Sequence, residues 1–528
     1  MTTARGDWER LERDRYDYER RAEEAAAATL PFVFPKHGHS KAEGFEQPYN
    51  SLGAAAVNNL ASKLSLALMP PNTAFFKFTL NREETRALLA GAQAAQQAGG
   101  DPEAVIKELD YAFSEMEKEV MQEMEEQGLR PQLHQACINL VVTGNGMLSL
   151  VDERTWKFRN LRSYVVERGP DDSIVKLIIK ECVRWSSLPE QVRKKVDEPE
   201  DDDGDVDVYT VVEATDTGFK EWQEVEEVKV PRSTKTYAKD ELPHLVLRWN
   251  RIDGEPYGRG LVEQYIGDLY SAEQLTKAIV DGSLAACRLL LMVDPNGTTP
   301  IKKVSTAANG AVIAGNAEDV TVLQLNKQGD FTVAQAVVGQ IQQRLSQAFL
   351  MATSVQRQGE RVTATEIRAM MQELEAGLGG VYANLGEELS TPLVGIVTAS
   401  MIRRKRLRSL PKGKVRPVVV VGLDALGRGQ DLQKLDVFLM GVRDTFGPEA
   451  LRYINVQGYL TARASAVGLN INGLVKTQQQ MDAEQQQAMQ AQMLDKGTAP
   501  AISGLAGLAK QGMAGMATQQ EGNTNAGQ

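Results

Sequence analysis

Two very long helical runs, separated by a short strand-and-turn segment, most narrow what this chain can fold into. Leu261–Leu291 would reach about 45 Å as one continuous helix at 1.5 Å per residue. Met292–Gly329 interrupts with strand and turn signals, and a second long helix is predicted from about Phe331 to Val355. Surfaces of such helices need neighbours to bury them, as in a closed oligomer. Aromatic residues are only 6% of the 528, so any core rests mainly on aliphatics and alanine.

After the second helix, Gln356–Val362 breaks the pattern at Gly359. Thr363 and Glu366 then form a capping-box pair, so a third helix is expected to start there. It runs to about Arg406, with kinks expected near Gly377, Gly379 and Gly380 and again at Pro392. Upstream, the first 130 residues read as helical. Trp8–Ala28 is stopped by Leu30–Pro35, Leu52–Met69 is ended by two prolines, and Pro102–Gln127 places Val105, Leu109, Phe113 and Met116 on one stripe. Asn160–Ile179, Val206–Ala214 and Glu221–Val230 read as an antiparallel sheet. Asp197–Asp207, acidic at eight of eleven positions, reads as an exposed loop between strands. Arg416–Gly422 is a short buried strand, and Leu432–Gly468 is mostly helical. From Gln478 the composition shifts to Gln, Met, Ala and Gly, which predicts a short helix through Met489 and then a disordered tail. The fold class is mainly α with an α+β region.

Charge and motifs exclude several functions. The net charge of −11 argues against a general basic grip on DNA. The phosphate loop G-x-x-x-x-G-K-[ST] is missing, since Gly413-Lys414 lacks both the earlier glycine and the hydroxyl residue. G-x-S-x-G is also missing. Of the four histidines, His37, His39, His134 and His244, only the first two are close, and no thiol or carboxylate stands beside them at metal-ligand spacing. Asp201, Asp203, Asp205 and Asp207 alternate as in a calcium loop but lack the glutamate at the twelfth position, so a solvated loop is expected. The glycine pairs Gly144/Gly146, Gly258/Gly260 and Gly427/Gly429 read as turns.

No enzymatic chemistry and no cofactor are expected. Arg403–Lys414, the most basic stretch, has two readings: cations at a helix C-terminus, or a patch facing phosphate. Cys137, Cys182 and Cys287 are isolated thiols that fit a reducing compartment. No membrane partner is expected either. Pro131–Val151 is charge-free but too polar to span, and Trp8–Glu24 is too charged for a secretory signal.

The run SVQRQGERVTATEIRAMMQELEAGLGGVY, Ser354–Tyr382, resembles the portal, or head-to-tail connector, proteins of short-tailed bacteriophages (the podovirus type). VNNLASKLSLALMPPNTAFFKFTL (Val57–Leu80), NLRSYVVERGPDDSIVKLIIK (Asn160–Lys180), WNRIDGEPYGRGLVEQYIGDL (Trp249–Leu269) and GLDALGRGQDLQKL (Gly422–Leu435) resemble the same family in the same order. The likeness is collinear over roughly Ala28–Leu474.

The resemblance implies the portal fold of wing, stem, clip and crown, assembled into a ring typically of twelve subunits. It assigns 1–260 to an N-terminal α+β wing, 261–290 to a stem helix, 291–330 to the clip and 331–355 to the second stem helix. The tunnel loop would be 356–363, the long wing helix and return strand 364–424, the helical crown 425–476, and the partly disordered tail 477–528. Such a ring sits at one capsid vertex of the virion, after assembly in the host cytoplasm, and passes double-stranded DNA inward during packaging and outward during infection. Its implied partners are the terminase large subunit and then the tail adaptor at the clip, the major capsid and scaffolding proteins, and internal core proteins. Another ring-forming virion protein, a tail adaptor or core protein, is the alternative.

The tunnel loop offers Gln356, Arg357, Gln358, Gly359, Glu360, Arg361 and Val362 to the duplex, and Lys302 and Lys303 are docking candidates in the clip. Arg357 and Arg361 either touch the DNA backbone or pair with Glu360 and neighbouring stem residues. Twelve copies at −11 each carry about −132 formal charges, which suits a conduit that does not hold its cargo.

Overall fold

In the computed structural model the described residues are 3–40, 42–71, 74–80, 86, 102–196, 204–286, 290–308, 310–323, 328–351, 364–407, 417–421, 427–447 and 459. The chain divides into two units, residues 1–426 and 427–528. In the second, the described structure is chiefly the helix Gly427–Phe446. Among the described residues no helix is long and apolar enough to cross a membrane.

The first unit begins with α1 (Ala4–Ala27), capped by the Thr3 hydroxyl, which accepts from the Gly6 amide at 3.2 Å. Trp8 and Leu11 on its buried stripe pack on Val165, Ile178, Tyr209 and Val211 of an antiparallel sheet. That sheet runs β4 (Tyr164–Arg168), β5 (Ile174–Arg184), β6 (Asp205–Thr215), β7 (Gly218–Val225) and β8 (Val228–Lys229) in sequence order, with β9 (Lys235–Ala238) also paired to β7. Arg15 of α1, 1% exposed, donates to the carbonyls of Leu161 and Tyr164, so the helix is tied to the sheet by hydrogen bonds as well as by apolar contact.

The expected strands are present, but Asp205 and Asp207 belong to β6 rather than to a loop. Lys180 across the ladder pairs with Asp207 at 2.8 Å, so a cross-strand partner offsets the poor strand preference of aspartate. Residues 197–203 of the acidic segment lie outside the described residues.

One feature corrects the all-helical reading of the first 130 residues, and the charge-free stretch after them takes two forms. α2 (Leu52–Leu68) and α3 (Pro102–Glu126) form as expected, but β1 (Phe76–Leu80) lies between them. It pairs antiparallel with β13 (Pro417–Val421), so its register depends on residues more than three hundred positions away. Pro131–Val151 splits into α4 (Leu129–Thr143) and β2 (Asn145–Leu150) at Gly144, whose φ of +77° ends the helix in the left-handed conformation. β2 is buried at every position between β3 (Trp156–Arg159) and β10 (His244–Arg248).

The long helices are shorter than expected. The first is interrupted at Tyr265, continues as α5 (Ile266–Ala286), and gives way to β11 (Leu290–Val293). The second is α6 (Gln328–Ala348), which stops seven residues before Val355. Its end is a Schellman motif with Leu350 at φ +54°: the Met351 amide donates to Ser346 at 2.7 Å and the Leu350 amide to Gln347 at 3.1 Å. Leucine in the position usually held by glycine is why sequence pattern alone misses this stop. The third helical run is segmented near its expected kinks: α7 (Ala364–Leu378), a break at Gly379 with φ +45°, the short helix Gly380–Leu385, a π turn over Gly386–Ser390, and α8 (Thr391–Arg403). Pro392 sits in the first turn of α8, where its missing amide costs nothing.

Candidate functional site

α5 and α6 form an antiparallel hairpin pinned at both ends. At one end Arg344 pairs with Asp268 at 2.7 Å. At the other the Phe331 ring lies so close over Gly282 that a Cβ there would stand 2.5 Å from it, so the small residue sets how closely the helices approach. The tip is a two-stranded ribbon of β11 and β12 (Val320–Leu323), with Leu290 opposite Leu323 and Val293 opposite Val320. Below the ribbon the Asp319 carboxylate accepts from Thr299 through both its amide (3.0 Å) and its hydroxyl (2.9 Å), and from the Thr298 hydroxyl (3.1 Å). These donors, the Thr299 hydroxyl first, hold the Asp319 carboxyl below its ordinary range. Lys302 and Lys303 stand exposed on the short helix Ile301–Thr306 of this tip.

The other end of the hairpin is anchored in the first unit. Phe349 is 1% exposed and packs on Tyr265 with ring centroids 5.8 Å apart. The buried Lys63 of α2 donates through Nζ to the Leu350 carbonyl at 2.6 Å and lies 3.4 Å from Glu373 Oε1 of α7. Asn59, one turn earlier on α2, reaches the Phe349 and Leu350 carbonyls at 3.5 and 3.4 Å. The Leu350 side chain covers Gly377, where an added Cβ would meet Leu350 Cδ2 at 2.9 Å. The turn that ends α6 is therefore held to α2 and α7 together.

The hairpin's entry is built from glycines. A Cβ on Gly144 would stand 2.3 Å from the Gly260 nitrogen, one on Gly260 would stand 2.6 Å from the Val142 carbonyl oxygen, and one on Gly258 would stand 2.7 Å from the Gly144 carbonyl oxygen. Gly144, Gly258 and Gly260, read as turn residues, thus join in one backbone-to-backbone contact directly before Leu261, whereas Gly146 lies in β2 and Gly427 and Gly429 open the helix Gly427–Phe446 instead of forming a turn. Beside it Arg248, 1% exposed, holds Asp172 with two bonds of 2.8 and 2.9 Å. The same guanidinium holds Glu388 of the π turn at 3.0 and 2.6 Å, and the Arg248 amide donates to that carboxylate at 2.9 Å. Burial and the neighbouring Arg248 charge push Arg168 below its ordinary value.

A family profile described as bacteriophage head to tail connecting protein matches residues 1–473. The chain belongs to this family. The portal protein of Escherichia phage T7 is 36% identical over 519 residues, 95% of this chain and 94% of that protein. That of Enterobacteria phage T3 is 37% identical over 489 residues, 91% and 89% of the two chains, and that of Enterobacteria phage SP6 is 29% identical over 94% and 95%. Among solved structures, the neck of an empty gene transfer agent particle is similar over 80% of this chain and 90% of that one, at 11% identity and a TM-score of 0.36. This is a portal protein of the podophage type, a head-tail connector, and its family is structural rather than enzymatic.

In this portal protein the expected tunnel-loop residues Gln356, Arg357, Gln358, Gly359, Glu360, Arg361 and Val362 lie outside the described residues, as do the tail from 477 and most of the expected crown. The basic stretch follows the helix-terminus reading as far as it is described. α8 ends in a second Schellman motif, with Lys405 at φ +57°. Arg403 pairs with Glu241 at 3.1 Å, Arg404 with Glu123 at 2.6 Å, and Arg406 with Glu123 at 2.5 Å and Glu126 at 3.3 Å. Burial raises the Glu123 carboxyl, but bonds from Arg404, Gln127 and Arg406 outweigh it and bring the group down to about 2.

One constellation escaped the sequence. His244 Nδ1 lies 3.0 Å from Ser149 Oγ and its Nε2 lies 3.1 Å from Glu221. Ser149 is 95 positions from the histidine and meets it through the pairing of β2 with β10, while Glu221, 23 positions away, reaches it from β7 of the other sheet. The Ser149 hydroxyl is sealed from solvent, and the trio is a polar tie between the two sheets. Among the described residues no cluster of three metal-ligating side chains occurs.

Proposed function

We propose that twelve copies close into a ring at one capsid vertex and that double-stranded DNA passes through its axial tunnel, inward in packaging and outward in infection. The observation that carries this reading is the uncovered apolar surface of the α5–α6 hairpin. Tyr270, Val280 and Leu284 on α5, and Val333 and Val337 on α6, are exposed along its length, and Leu291, Met292, Ile301 and Val312 are exposed at its tip. A fully exposed aliphatic side chain gains about 1.5–3 kcal/mol on full burial, and most of these, roughly half exposed, would gain about half of that. Rotationally related neighbours supply that burial for every copy equally, and a closed ring leaves no copy with an open face.

In this reading α5 and α6 are the stem and residues 291–330 the clip, where Lys302 and Lys303 meet the terminase large subunit and later the tail adaptor. The tunnel segment Gln356–Val362 faces the duplex, and Arg357 and Arg361 touch phosphates without reading bases. The wing and crown meet the major capsid, scaffolding and internal core proteins. The chain is assembled in the host cytoplasm and stays in the virion, and energy for packaging comes from the partner motor. Sedimentation under reducing conditions, with negative-stain microscopy, tests the assembly. Twelve chains of 57.9 kDa predict a ring near 695 kDa with an open axial hole, while monomer or dimer alone at micromolar concentration refutes it.

A further inference from the structure

The turn after α6 is held more firmly than a helix–helix connection requires. A leucine occupies a left-handed conformation that disfavours side chains, at φ +54°, and such strain persists only where the surroundings over-determine it. Here the surroundings are specific. Phe349 plugs the core against Tyr265, the Leu350 side chain lies on Gly377, and the Leu350 carbonyl receives the Lys63 ammonium at 2.6 Å. The same ammonium lies 3.4 Å from Glu373. One buried cation on α2 therefore touches the chain just before residues 352–363 and again on the helix that follows them. Glu373 is nine residues into α7, so roughly 14 Å of helix extends beyond this contact towards Ala364. An angular change at Lys63 is magnified over that length.

We propose that Lys63 is a positioning residue of the channel: it fixes the two roots, Leu350 and Glu373, from which residues 352–363 depart. The proposal rests on the channel reading above and adds the residue that sets the geometry of its inner end. A lysine suits the task because its ammonium offers three donors on a long stem, enough for a carbonyl and a carboxylate on different elements. Methionine keeps the volume and removes the donors. Arginine keeps charge and donors.

The test compares Lys63→Met, Lys63→Arg and Glu373→Gln in the full chain, by ring yield, amide hydrogen exchange over residues 345–351, and DNA content of particles packaged with each variant. Lys63→Met is expected to form rings, to exchange on the order of tenfold faster in that turn, as loss of one charge-assisted hydrogen bond implies, and to lose packaged DNA. Lys63→Arg should stay close to wild type in both, and Glu373→Gln should change the turn less than Lys63→Met because the carbonyl bond survives. Wild-type exchange in Lys63→Met overturns the clamp, and faster exchange with full DNA content overturns its role in the channel. If Lys63→Met gives no rings, Lys63→Gln, a neutral donor of shorter reach, is read in the same way, and full DNA content in its rings overturns the role. A wild-type chain that forms no rings counts against the channel reading itself, and the exchange comparison still reads the clamp.

Discussion

Replacing Arg248 by methionine should be among the most destabilising single changes in the first unit. The guanidinium is 1% exposed and makes four bonds to Asp172 and Glu388, while the Glu388 side chain is itself only 13% exposed. Methionine fills much of the same space but leaves a nearly buried carboxylate without its cation. Breaking a buried pair from one side costs about 3–5 kcal/mol, because the remaining charge stays desolvated. Arg344→Met removes a pair of similar length, 2.7 Å to Asp268, but that arginine is 56% exposed and water replaces the partner, so about 0–1 kcal/mol is expected.

The assay is a urea titration at neutral pH followed by tryptophan emission, since Trp249 beside Arg248 is fully buried. A third protein, Arg248→Met with Asp172→Asn and Glu388→Gln, carries none of the three charges and should recover most of the loss. Equal midpoints for Arg248→Met and Arg344→Met would refute the reasoning. A triple variant no better than the single one would show that packing, not stranded charge, sets the cost.

Two further predictions use the same titration. Gly144→Ala should cost about 3–5 kcal/mol or prevent folding, because φ is +77° and the new Cβ would stand 2.3 Å from the Gly260 backbone; Gly254→Ala, at the same φ in open space, should cost about 1–2 kcal/mol. Glu123, depressed to about 2 in the fold, contributes stability that is present in full above the unfolded value of about 4.3 and is lost as pH falls from there towards about 2. That contribution is about 2–3 kcal/mol, so the urea midpoint should fall between pH 5 and 3, and Glu123→Gln should flatten the fall.

Elements governed by local signals were legible in the amino-acid order. Prolines and apolar periodicity placed α1, α2 and α3 to within a few residues, and the valine-rich runs placed β6 and β13 to within one or two. Elements governed by distant partners were not. β1 needs β13, and β2 needs β10, and nothing near either strand announces its mate. The stop of α6 depends on Leu350 taking a glycine-like conformation, which the Lys63 contact and the Gly377 surface support from other helices. The resemblance to connectors was carried by Ser354–Tyr382, but its tunnel residues lie outside the described structure, so legibility of the family exceeded legibility of the site.

The placement of charge bears on how such a connector treats DNA. Arg403, Arg404 and Arg406, the described arginines of the most basic stretch, are matched within their own chain by Glu241, Glu123 and Glu126. Two of those pairs meet on Glu123, which is 4% exposed, so withdrawing either arginine towards a phosphate would leave a buried carboxylate less compensated. These three arginines are thereby held for structure. The hairpin is the opposite case, since beside exposed polar residues such as Gln274, Gln335 and Gln342 it leaves Tyr270, Val280, Leu284, Val333 and Val337 uncovered. Contacts between copies along the proposed stem can therefore draw in part on apolar burial, which added salt does not screen. A net charge of −11 per copy then opposes assembly at low ionic strength, and raising the salt should favour rings.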